Sequence, residues 1–387
     1  MSDESDEKVN VSAPWSWLNW EQMNHGRHST QAAEYLIYSD AWLRRNEISA
    51  GPMHLTFGTA IPDDGHIAPV VTLRIDDHLP EFDIQPMEKT DVSGWLNLTI
   101  DDEVACLLSL ITGVRMRAGG MSREFKEGSD PRGSAHYHFH QTPNWTPLPV
   151  RKRIYPGVNT ADSREVASWL ERYPQLARED SVALVRAARQ FRDALWVAES
   201  DPELAWLFLV SAMEGPAGRT ATTIDEDPVK MFSREMPDLA EAVGSTGGDD
   251  LLRTVAQRLL PIVKATNRFL TFTTTYAPAP PSVRPPEYAQ VPWNKLRKKV
   301  GQVYSYRSKR LHEGVPFPYP MCVRPDGAIP APEEVPTGLA AAKGNAAWVA
   351  KDLPMHLHIF GYIVRGCLLN WWAERAHQNM EAAASTE

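Results

Sequence analysis

Hydrophobic and polar residues alternate in short runs over the first part of the chain, then fall into helical spacing over the rest. Met53 to Ile61 mixes Leu55 and Phe57 with His54 and Thr56, and Ile67 to Ile75 sets Val71, Leu73 and Ile75 against Thr72 and Arg74. Asp91 to Ile100 places Trp95, Leu98 and Ile100 among Asn97 and Thr99. Partly alternating runs of this kind, bounded by Asp, Pro and Gly, predict strands. A short helix is expected to follow from Asp101 or Asp102 through Cys106, Leu107, Leu110 and Ile111. Its acidic start suits a helix N-terminus, and Gly113 suits its end. Residues 114 to 160 return to strand and loop, punctuated by Gly119, Gly120, Gly128, Pro131, Gly133, Pro143 and Pro147. Residues 12–160 therefore predict one mainly β domain with at least one helix.

Beyond residue 162 the period is helical. Leu184, Ala188, Phe191 and Leu195 share one face, and Asp201 with Pro202 supplies a cap and first turn for a helix that is apolar nearly all round. Gly244 to Asp250 predicts a loop. A long helix then carries Leu252, Val255, Leu259, Ile262 and Phe269, with a kink expected at Pro261. Tyr276 to Pro292 holds six prolines and predicts an extended connector. Trp293 to Leu311 is helical again, with Gly314 as a left-handed cap. A proline-rich loop spans Val315 to Pro336, and a last helix runs from about Pro354 to Met380. The expected architecture is α+β, a mainly β N-terminal domain followed by an all-helical bundle over residues 165–387.

Composition narrows the function. The chain has 387 residues and a formal charge of -9, so adhesion of the whole surface to nucleic acid is not expected, whereas a local basic patch is compatible with it. No run approaches the length of a membrane-spanning helix, and the polar, acidic start (residues 1–11, expected to be disordered) is unlike a secretory leader. Cys106, Cys322 and Cys367 stand apart and form no C-x-x-C pair, which fits a reducing, cytoplasmic setting. Neither a P-loop nor G-x-G-x-x-G occurs in the glycine- and arginine-rich stretch 113–133, and Ser211 lacks a G-x-S-x-G elbow. No cofactor is expected.

The most informative stretch is Trp293 to Gly314, "WNKLRKKVGQVYSYRSKRLHEG". Its apolar stripe is Leu296, Val300, Val303 and Leu311, and Arg307 falls between Val303 and Leu311 on the same side. Arginine there needs an anion or several acceptors. His312 ends the helix, where an imidazolium is favoured. Five residues place Arg307 and His312 roughly 140° apart on an ideal helix, a separation that a symmetric dimer offers one way to bridge. Lys295, Arg297, Lys298, Lys299, Arg307, Lys309 and Arg310 crowd residues 295–310, which hold no acid; this suits phosphate contact, with Tyr304 and Tyr306 available for base stacking. The alternative is a solvated basic helix with Arg307 paired to a buried acid such as Glu214.

Arg307-Ser308-Lys309-Arg310-Leu311-His312 resembles the Arg, four residues, His motif of the HEPN superfamily. The longer "YSYRSKRLHEG", together with the upstream "LVSAMEG", is similar to the Apea-like subgroup, over roughly Ser181 to Met380. The resemblance implies a helical bundle, commonly a homodimer, with Arg307 and His312 at a dimer cleft. Many members are metal-independent endoribonucleases of toxin or antiphage systems, and others are inactive RNA- or nucleotide-binding modules. The family often has Asn, Asp or His after the arginine, and here Ser308 is uncharged. Ser308, Glu214 and Tyr304 are candidate supporting residues. In an active member, His312 would move a proton at the ribose 2′-hydroxyl or the leaving 5′-oxygen, and Arg307 would neutralise the phosphoryl group. A structural, partner-binding bundle is the remaining reading.

His136, His138 and His140 would share one face of a strand, a weak candidate metal site with no Cys or His-x-x-His partner. His356 and His358 read as packing or capping residues. Trp371 and Trp372 cannot share a helix face, which suggests that one of them meets another domain or protomer.

Overall fold

The computed structural model describes residues 13–29, 31–43, 47–60, 68–80, 90, 92–126, 128–136, 153–155, 160–220, 227–327, 331–338 and 340–385. The expected disorder of residues 1–11 lies outside them. The chain forms two compact units, Met1–Trp196 with Trp371–Glu387, and Val197–Asn370. The division thus falls some way beyond the change of period near residue 160, and the C-terminal residues are counted with the first unit.

The first unit is mixed α/β rather than mainly β. It contains α1 (Trp15–Asn24), β1 (Gln31–Ser39), β2 (Trp42–Leu43), β3 (Glu47–Ala50), β4 (Met53–Ala60), β5 (Ala68–Asp77) and α2 (Ile100–Thr112). β6 (Met116–Lys126), β7 (Ser134–Ala135), β8 (Thr160–Ala161), α3 (Val166–Glu171) and α4 (Arg178–Val197) follow. Six strands make one sheet in the order β3-β4-β5-β1-β6-β7, with every pairing antiparallel, while β2 and β8 form a separate parallel pair. Register puts Leu55, Leu73 and Tyr35 in one row across the sheet, with Ile75 opposite Ala33 in the next. Leu55, Leu73 and Ile75 are buried there as the alternating pattern requires. The turn into β4 needs glycine. Gly51 has φ +52°, and a Cβ would lie 2.3 Å from the Trp20 ring.

Helix α2 starts with Asp101, Asp102 and Glu103 and ends at Gly113 in the left-handed region, as the sequence predicts. Residues 92–99, expected as a strand, are not one. Arg186 of α4 donates to the carbonyls of Val92, Ser93 and Trp95, and Arg189 to that of Leu96. Those carbonyls are satisfied by arginines, so no neighbouring strand is needed. Trp371 and Trp372 are both fully buried within the chain. Trp372 packs on Trp169 at 5.2 Å and Tyr173 at 6.2 Å, so the pair gives no reason to invoke a second protomer.

The second unit is a helical bundle of α5 (Pro202–Arg219), α6 (Pro228–Glu235), α7 (Pro237–Tyr276), α8 (Leu296–His312) and α9 (Leu357–Ala384, counted here to Asn370), with a small hairpin of β9 (Ala340–Lys343) and β10 (Ala346–Val349). Asp201 caps α5 by accepting from Leu204 N at 3.0 Å. The apolar α5 is central. Trp206 stacks on Phe360 at 5.0 Å and Phe317 at 5.7 Å, and its indole donates to Met321 O. The run of α7 is two helices meeting at a kink at Gly248 (φ 67°, ψ -171°), inside the expected loop 244–250 but confined to one residue, and the backbone at Pro261 stays helical. Glycine tolerates a conformation that a substituted residue resists, and it takes the bend. The proline connector is pinned where Gly366 allows Pro278 to approach: a Cβ there would lie 2.5 Å from the ring.

Candidate nucleic-acid interface

A 3-10 turn at Trp293–Lys295 leads into α8, which is fastened by Leu296, Val300 and Val303, all buried. Leu311, expected on the same stripe, is 52 % exposed, because the helix outruns its packing partners at the C-terminal end.

The charges of α8 are arranged unequally. Lys309, Arg310 and His312 lie in the last turn, where cations suit the dipole. The first turn has no acid, yet Lys295, Arg297, Lys298 and Lys299 gather there. Cations at this end oppose the dipole and repel one another. Burial pushes the half-buried Lys299 ammonium down, and the neighbouring Lys298 and Lys295 push it further, against the pull of Asp352. Lys295 and Lys298 are exposed, and neither they nor Lys299 makes an ion pair among the described residues.

The arginines are engaged. Arg297 donates to Glu235 at 2.8 Å and Asn267 at 2.9 Å, and Arg310 pairs with Glu203 at 2.7 Å. Both were expected at the phosphate-contact surface, and both are shared with acids of the bundle. Arg307 donates to Glu214 Oε2 at 2.8 Å, with Tyr304 reaching the other oxygen at 3.3 Å and lying 5.6 Å beneath the guanidinium. The Arg307 side chain is 19 % exposed, and its Nε is buried without a hydrogen-bond partner among the described residues. Burial raises the Tyr304 phenol, and the Glu214 carboxylate raises it further. Ser308 is half-buried.

The tyrosines are not free for bases. Tyr304 packs on Phe269 at 4.7 Å, and Tyr306 donates to Asp352 O at 2.7 Å beside Phe317. His312 is exposed at the end of the helix, and no hydrogen bond or ion pair joins it to Arg307. Within one chain the structure brings Arg307 to Glu214 and Tyr304, and leaves His312 and Lys309 in solvent. Sequence reasoning singled out Glu214 but missed Glu203, Glu235 and Asn267, which ordinary helical acid and amide positions do not distinguish.

Among the other candidates, His136 meets Glu124 at 3.2 Å, while His138 and His140 lie outside the described residues. No cluster that could hold a metal occurs among the described residues. In the stretch 113–133, Arg115 pairs with Asp40, Arg123 with Glu34 and Arg132 with Asp130. His356 bonds Glu333 at 2.9 Å in a packing role, and the desolvated His358 imidazole is pushed down to about 3. No helix among the described residues is long and apolar enough to cross a membrane.

A scan of protein-family models and searches of curated proteins and of solved structures find no match to this chain.

Proposed function

We propose that the helical unit contacts RNA along α8 and works as a metal-independent endoribonuclease of the HEPN type, as a cytoplasmic homodimer in a toxin or antiphage setting. The observation that carries this reading is the group of lysines, Lys295, Lys298 and Lys299, that make no ion pair among the described residues and sit at the helix end that disfavours them. Such an arrangement is relieved by a bound polyanion, whose phosphates replace the missing acids. The Arg307 to His312 motif and its similarity to the Apea-like subgroup supply the chemistry.

His312 takes the 2′-hydroxyl proton or donates one to the departing 5′-oxygen. Arg307, held by Glu214 and Tyr304, faces the charge that builds on the phosphoryl group. The 2′-oxygen forms the new P–O bond as the 5′-oxygen bond breaks, giving a 2′,3′-cyclic phosphate and a 5′-hydroxyl. A second copy of α8 bridges the angular gap between the two residues.

A second reading, RNA binding without cleavage, is favoured by the Arg307–Glu214 pair, which leaves less of the guanidinium charge for a phosphate. Cleavage of end-labelled single-stranded RNA in EDTA separates the two. The nuclease reading expects cyclic-phosphate ends from wild type and none from His312→Ala or Arg307→Ala. Wild type that binds RNA without cutting it supports the second reading, and wild type that does neither overturns both.

A further inference from the structure

The sheet of the first unit carries a cavity of about 640 Å³ against the N-terminus of α2. Small residues make it: Ala33 on β1 and Ala118 and Gly120 on β6 leave the sheet face low where larger side chains would meet the helix. Ile75, Leu79, Leu98 and Met121 give the hollow an apolar body. The volume is that of a small-molecule site.

Its charged lining is of one sign. Asp77, Asp101, Asp102 and Glu124 all border it, and among the described residues no lysine or arginine does. Two of the four have cation partners, Asp102 in Arg192 at 3.3 Å and Glu124 in Lys126 at 3.1 Å. The other two have no cation partner among the described residues. Among the described residues Asp77 accepts only from Gln31 Nε2 at 2.6 Å and Leu79 N at 2.9 Å. Asp101 is 3 % exposed, and the Thr99 hydroxyl beside it donates to Asp102 Oδ2 at 3.2 Å. A carboxylate this buried is costly without a positive partner. Between them stands Tyr35, whose hydroxyl has no hydrogen-bond partner among the described residues. Burial raises its phenol, and Asp101, Asp77 and Glu124 raise it further, so it faces the cavity as a neutral hydroxyl.

We propose that this cavity is a binding site for a small organic ammonium compound, its charged head between Asp77, Asp101 and the Tyr35 hydroxyl and its apolar body over Ala33 and Ile75. A metal ion is the poorer occupant, because no group of three ligating side chains among the described residues is placed to hold one. An organic cation needs no such convergence: one carboxylate within hydrogen-bond reach and an apolar wall suffice. The site is independent of α8, and its failure or success leaves the RNA reading where it stands.

Isothermal titration of the full-length protein tests it with phenethylammonium, cyclohexylammonium and hexylammonium chlorides, beside phenylpropionate as the anion of matching shape. At least one amine is expected to bind saturably at one equivalent, and phenylpropionate is not. Asp77→Asn, at the partly exposed rim, weakens the amine about tenfold. Ala33→Leu fills the floor and abolishes binding while leaving every carboxylate in place. Absence of saturable binding by all three amines overturns the proposal. So does phenylpropionate binding as tightly as the amines, or amine binding that survives Ala33→Leu in a folded protein.

Discussion

Glu103 is fully buried at the start of α2, and its carboxylate receives the first amides of α1. Trp15 N reaches Oε1 at 3.1 Å, while Ser16 N at 2.8 Å and Ser16 Oγ at 2.7 Å reach Oε2. Those donors favour the charged form, but burial outweighs them and pushes the group from 4.5 up to about 7. Between these values the folded protein holds a proton that the unfolded chain has released, so stability falls as pH rises from 4.5 to about 7. The shift of roughly 2.5 units corresponds to about 3 kcal/mol, a large share of an ordinary domain's stability. Glu103→Gln removes the ionisation and, with an NH2 facing Trp15 N, gives up one hydrogen bond, about 1 kcal/mol. Urea unfolding at about pH 4.5 and about pH 8, with wild type and variant side by side, isolates this group because other titrations cancel in the difference. Stability of wild type minus variant is expected to drop by about 3 kcal/mol across that interval. A flat or rising difference refutes the reasoning, since it would mean that the amide donors and the α1 dipole outweigh burial.

Four further outcomes follow from particular contacts. Glu214→Ala leaves the largely buried Arg307 guanidinium unpaired and lowers the stability of the helical unit by about 1–2 kcal/mol, discounted for partial exposure, whereas Arg307→Met is better tolerated; chemical denaturation compares them. Trp206→Ala empties the stacked centre of the bundle and costs about 3–5 kcal/mol by the same method. Gly51→Ala, strained by its positive φ and driven into Trp20, lowers the melting temperature clearly more than Gly26→Ala, which also has positive φ but open space around it. His358, neutral in the fold with its imidazole down at about 3, makes the protein lose stability as pH falls from 6.5 toward that value, and His358→Gln removes this acid loss in a pH series of melting curves.

Several helices of both units were legible because their signals are local. Asp201-Pro202 caps α5 and Gly113 closes α2, and both need only neighbouring residues. The stripe of α4 predicted its buried face through Leu184, Ala188, Phe191 and Leu195, all buried. What failed depended on distant partners. Residues 92–99 alternate like a strand, but Arg186 and Arg189, some ninety positions on, take their carbonyls. Helix α1 was missed because Trp15, Trp17 and Trp20 show no clear helical stripe, and its amides are capped by Glu103 from another helix. At the candidate site, the sequence pointed to Arg307, His312 and the lysines of α8. It did not show that Arg297 and Arg310 meet acids of the bundle, nor that Tyr304 and Tyr306 are packed against phenylalanines, because neither follows from spacing along one helix.

The claim at the centre of this account is that the lysines at the start of α8 contact RNA phosphates. Fluorescence anisotropy of a short labelled single-stranded RNA, between about 50 and about 200 mM salt, tests it with wild type beside the Lys295, Lys298 and Lys299 triple alanine variant. The lysines are expected to carry about 0.7 of the salt slope each, so the variant binds more weakly and its slope is shallower by about 2. Equal affinity and an unchanged slope in the folded variant would contradict the claim.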